Sequence, residues 1–133
     1  MGYDNEKRSE NLQKELFVDW STGIEDSLRQ LQAIFDRLLS DSDYYIIRNT
    51  TVKEQNLNIF RKGKARRIGQ VWPKVRSQTM DLVFTIEEID SLRTKVNLPP
   101  ECDVKQAGRY PGLRRFRSVD LDQGTEIIKA LAR

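Results

Sequence analysis

The chain has 133 residues, 38% apolar and 32% charged, which suits one domain with a single core and is neither too polar to collapse nor long enough for two cores. A lone cysteine, Cys102, excludes an intramolecular disulfide, and the absence of histidine removes the Ser-His-Asp and Cys-His constellations and most transition-metal sites. The net charge of +3 conceals a segregated pattern: −5 over residues 1–45, +8 over 46–80, −4 over 81–104, +5 over 105–118 and −1 over 119–133, which bears on partners and steering rather than on fold.

Residues 1–20 are expected to be a partly ordered N-terminal segment and residues 21–133 a single α+β domain. The start, MGYDNEKRSENLQKE, is charged throughout and no apolar run approaches a membrane span, so a cytoplasmic protein without a membrane partner is expected. Leu12, Leu16 and Trp20 are spaced for a short helix. Ile24, Leu28, Leu31, Phe35 and Leu38 then mark one face of a longer helix, with Thr22 and Glu25 in the form of a capping box.

Past Ser40-Asp41-Ser42-Asp43 the pattern turns to strands. Tyr44 to Arg48, Asn56 to Arg61 and Arg66 to Trp72 are β-rich, Lys62-Gly63-Lys64 reads as a tight turn, and Pro73 ends the third strand or confines it to an edge. Thr79 to Ile86 alternates, with Met80, Leu82, Phe84 and Ile86 on one face and Asp81, Val83 and Thr85 on the other. Thr85 with Glu88 opens a helix with inner residues Ile89, Leu92 and Val96. Residues 100–112 form a loop, Leu113 to Leu121 a fifth strand, and Asp122 caps a last helix with Ile127, Ile128 and Leu131 inward. The expected fold is an antiparallel sheet of four or five strands with N-terminal helices, one helix after the fourth strand and one at the C-terminus.

Chemistry has few footholds. Asp103-Val104-Lys105 has the short form of a carboxylate-x-Lys Mg²⁺ nuclease motif, but it is a three-residue match in a loop. Glu87, Glu88 and Asp90 are where a helix dipole favours carboxylates. No phosphate-cradling glycine motif occurs, and Cys102 sits between two acids that oppose its thiolate. No cofactor and no catalytic residue are expected, and a nuclease using Asp103 and Lys105 is a minor alternative.

The basic residues stand out. The segment Ile59 to Gln78 holds seven Lys or Arg and no acid. Arg61, Lys62, Lys64, Arg66, Arg67, Lys74 and Arg76 come from one hairpin and its exit, and Arg109, Arg114, Arg115 and Arg117, with Lys105, from the late loop and strand. If these converge they make a polyanion surface, and Tyr110, Trp72 and Phe116 are interspersed to stack on bases. The expectation is a binding module for nucleic acid contacting it through these cations and Tyr110. Docking on an acidic protein partner is the alternative, and solvated strand faces are the plain reading of the same charges.

The stretch Asn58-Ile59-Phe60-Arg61-Lys62-Gly63-Lys64-Ala65, then Val71-Trp72-Pro73-Lys74, the Met80 to Ile86 strand, Arg117-Ser118-Val119-Asp120-Leu121-Asp122 and Ile127-Ile128-Lys129-Ala130-Leu131 resembles the small bacterial predicted transport-associated domain of unknown function, often appended to restriction-related proteins. In outline, residues 44–132 are also similar to MmcQ/YjbR-like proteins. That resemblance implies an antiparallel sheet with terminal helices and DNA binding, and supplies no catalytic residue.

Overall fold

The computed structural model describes residues 17–49, 55–103 and 112–133, with Cys102 and Asp103 by backbone alone. The fold is α+β. A 3-10 turn, Trp20–Thr22, leads into α1 (Ile24–Leu39), and four strands follow: β1 (Tyr44–Arg48), β2 (Leu57–Arg61), β3 (Gly69–Lys74) and β4 (Thr79–Thr85). Then come α2 (Ile86–Arg93), β5 (Glu101–Asp103), β6 (Leu113–Val119) and α3 (Leu121–Leu131). The strands pair in the order β1-β2-β3-β4-β6-β5, every neighbouring pair antiparallel. The three-residue β5 falls where the sequence suggested only loop.

Period two decides what each strand residue meets. Met80, Leu82 and Phe84 of β4, with Val71, Leu57, Ile59 and Ile46 on the neighbouring strands, turn to one side and meet Leu28, Leu31 and Phe35 of α1, Ile89 and Leu92 of α2 and Ile127 and Ile128 of α3. All three helices therefore cover the same face of the sheet. Val18 and Trp20, ahead of α1, join this core too.

Phe116 and Val119 also belong to it, although residues three apart face opposite sides of a regular strand. A bulge reconciles them. The β4–β6 register slips between Met80 and Leu82, and Ser118 takes a left-handed φ of 54°. Arg117 is thereby left exposed while both apolar neighbours stay buried.

Several local expectations change. Thr22 does not cap α1: Gly23 is the N-cap, and the Thr22 hydroxyl donates to the Asp19 carbonyl. Thr85 does cap α2, accepting from the Glu88 N–H, whereas the Glu88 side chain accepts from the Tyr44 hydroxyl instead of closing the box. Asp120, not Asp122, caps α3 by accepting from the Gln123 N–H. Ile86 starts α2 and is exposed. Pro73 lies inside β3 rather than ending it, because β2 pairs with β3 only from Gly69 to Val71 and leaves no ladder beside the Pro73 nitrogen.

Candidate nucleic-acid interface

The alternate residues of the same strands point away from the helices. From β1 to β6 they are Tyr45 and Ile47, Asn58 and Phe60, Gln70, Trp72 and Lys74, Asp81 and Val83, then Arg115. No described helix packs on this face. Tyr45, cross-strand partner of Phe60, stacks on it with ring centroids 5.6 Å apart and planes 17° from parallel. Tyr45 and Ile47 remain 39% and 50% exposed.

Between this aromatic pair and Trp72 runs a chain of side-chain amides. Asn58 Oδ1 accepts from both Asn56 Nδ2 and Gln70 Nε2, at 3.2 Å each, and Gln70 Oε1 accepts from the Trp72 indole N–H at 3.3 Å. Trp72 is thus held half-buried in one orientation. The Asn58 N–H₂ makes no bond among the described residues, so it keeps donors for a ligand lying over the sheet.

Asp81 organises the other half of this face. Its side chain is 6% exposed and has three partners: Lys74 Nζ lies 2.9 Å away, Arg115 Nη1 lies 3.9 Å away, and the Ser118 N–H donates to it at 3.0 Å. One buried acid therefore neutralises two of the expected contact cations and pins the β6 bulge.

The twelve expected contact residues do not form one patch. Arg61, Lys62, Lys64, Arg66 and Arg67 cluster on the β2–β3 hairpin, at one end of the sheet. Lys74, Arg76 and Arg117 lie toward the opposite end, beside the β3–β4 turn and the β6 bulge, with Arg115 between. Arg114 shares a side with Phe84 and bonds Glu101 at 3.2 Å, a carboxylate that also pairs with Arg93 at 2.8 Å, so it belongs to the helix side. Arg109 and Tyr110 lie outside the described residues, as do Lys105 and the Asp103 side chain. Phe116 is fully buried and stacks on nothing outside the core. Lys62, Lys64, Arg66, Arg76 and Arg117 are exposed and make no ion pair among the described residues.

Tyr45, Phe60, Asn58 and Gln70 are additions that the charge-based reading missed. Tyr45 and Phe60 are fifteen positions apart in sequence and meet only through the β1–β2 register.

Behind the hairpin, Tyr44 faces the helix side. Its hydroxyl donates to Glu88 Oε2 at 3.0 Å, and the Arg61 guanidinium sits 5.9 Å over its ring. Burial first, and then the bond to Glu88, push its pKa from 10.0 up to about 12. A raised pKa means the folded protein keeps a proton that the unfolded chain sheds sooner. The bond's stabilisation is present in full below pH 10 and disappears as pH rises through 12. Melting curves from pH 9 to 12 should fall more steeply for the parent than for Tyr44→Phe, and parallel curves would show that the phenol adds nothing.

No protein-family model, curated protein or solved structure matches the chain. Among the described residues, no group of three or more His, Cys, Asp or Glu is placed to hold a metal ion, and no helix is long and apolar enough to cross a membrane.

Proposed function

We propose that this protein is a non-enzymatic binding module for single-stranded nucleic acid, which lies across the sheet face opposite the three described helices. One observation carries the reading: a single face presents the Tyr45–Phe60 stack, the oriented Trp72 and the amide chain between them, with exposed cations at both ends. Aromatic rings accept the flat surface of any base, and cations at the ends track a phosphate backbone. A duplex hides its bases and has no use for the platform. The alternative, an acidic protein partner, would use the same cations and rings, and the oligonucleotide titration separates the two.

The test is titration of a labelled thymidine 12-mer at increasing salt. With roughly four phosphates contacted, affinity should fall about 50-fold between 50 and 200 mM salt. Trp72 fluorescence should be quenched on binding, and Trp72→Ala should weaken binding about tenfold or more, the value of one stacked base. Affinity independent of salt, or unchanged by Trp72→Ala, would remove the sheet face from the mechanism.

A further inference from the structure

At the hairpin end of the sheet, beside the first turn of α2, lies a cleft of about 340 Å³. The β2–β3 hairpin supplies one wall with Lys64 and Arg66, the first turn of α2 supplies the other with Glu87, and Ile68 and Leu113 lie between. The volume is at the small end for ligand sites and suits a single nucleotide. Its charge distribution is the informative feature: cations on one side and a carboxylate on the other, over aliphatic side chains.

A bare phosphate or a polyphosphate would be repelled by the Glu87 wall, and a purely cationic ligand by the hairpin. A nucleotide carries phosphate at one end and a base edge at the other, so it can satisfy both walls at once. Among the bases, guanine has two neighbouring donors, N1–H and N2–H₂, which match the two oxygens of a carboxylate. Adenine has a ring nitrogen acceptor beside its single amino group, and that acceptor would face the carboxylate lone pairs. Glu88 is not available for this role, because it is buried and accepts the Tyr44 hydroxyl. Glu87 is exposed.

We propose that this cleft holds one guanine nucleotide of the bound single strand, with Lys64 and Arg66 on its phosphate and Glu87 on its N1–H and N2–H₂ edge. The inference rests on the sheet-face reading but makes a separate demand, namely base selectivity at one position. Selectivity here comes from the pattern of the base edge, since guanine offers two donors to the carboxylate where adenine sets an acceptor against it.

The experiment compares thymidine 12-mers in which one terminal residue is T, G or A, together with free GMP and AMP, against the full chain. Terminal G should tighten binding about tenfold over A, the lower end of what one bidentate base contact supplies. Glu87→Ala should reduce that G-to-A ratio to about one. This variant also removes a negative charge and can raise affinity for every oligonucleotide, so the ratio, which a uniform charge effect leaves untouched, is the readout. Equal binding of G and A ends with salt-dependent binding of the T oligomer intact would overturn the guanine site and leave the sheet-face reading standing. Selective GMP binding without any oligonucleotide binding would keep the cleft as a nucleotide site and overturn the sheet-face reading. Binding of none of these probes at low salt would overturn both.

Discussion

Replacing Asp81 with Ala is expected to cost about 2–3 kcal/mol of stability. Removing one member of a buried ion pair typically costs about 3–5 kcal/mol when the other charge is left stranded. Here the partners are Lys74 and Arg115, whose side chains are 43% and 30% exposed and can turn to water, which places the cost below that range. The Ser118 N–H, held at a left-handed residue, loses the acceptor it has among the described residues.

Asp81→Asn separates the two contributions. An amide oxygen still accepts from Ser118, so this variant should lose only about 1 kcal/mol, the net worth of one hydrogen bond against a charge-assisted one. Meanwhile the outer face gains one unit of positive charge. Oligonucleotide affinity should rise, and the slope of log affinity against log salt should steepen by about one. Denaturant melts give the first quantity and a salt titration the second. Weaker binding by Asp81→Asn would place Lys74 and Arg115 outside the contact surface. If that variant also lost as much stability as Asp81→Ala, the carboxylate charge rather than the bulge hydrogen bond would be what holds this part of the sheet.

The two faces of β4 were legible from alternation alone, since Met80, Leu82 and Phe84 read as core and Asp81 and Val83 as their opposites. The same rule, applied to Arg114 and Arg115, separates neighbours in sequence onto opposite faces and already divides the late basic segment. Other features had no local signal. The β6 bulge is forced by the need to bury both Phe116 and Val119, a demand visible only once the β4 register is known. The aromatic pair depends on Tyr45 meeting Phe60 across strands. At Thr22 a capping-box pattern exists and is not used: the 3-10 turn ahead of α1 takes that hydroxyl for the Asp19 carbonyl, a local competition that two residues at the right spacing do not reveal. Charge clustering along the chain overstated the patch, because Asp81 takes Lys74 and Arg115 and Glu101 takes Arg114, pairings that the strand register sets.

Gly69→Ala is the second change of large expected effect, about 2–3 kcal/mol or a melting point lower by roughly 10 °C. A Cβ at this position would sit 2.8 Å from the Phe84 ring and 2.8 Å from the Val83 carbonyl oxygen. The ring can tilt, but it is fully buried and packs 6.4 Å from the Phe116 ring, so its movement disturbs the core around it. The carbonyl belongs to the β3–β4 ladder and cannot move without loosening the sheet. Repeating the substitution in a Phe84→Leu background divides the cost. If the ring is the main obstacle, Gly69→Ala should be cheaper there by about 1 kcal/mol, a coupling that double-mutant cycles resolve. An identical cost in both backgrounds would assign the whole effect to the Val83 carbonyl. Gly69 is also where the basic loop rejoins the sheet, one residue after Ile68 bonds both Ile59 and Thr85 through its backbone. The ring that occupies the missing side chain's space therefore helps fix where Lys64 and Arg66 stand relative to the first turn of α2, and Gly69→Ala should blunt any G-over-A preference before it weakens binding of the thymidine oligomer.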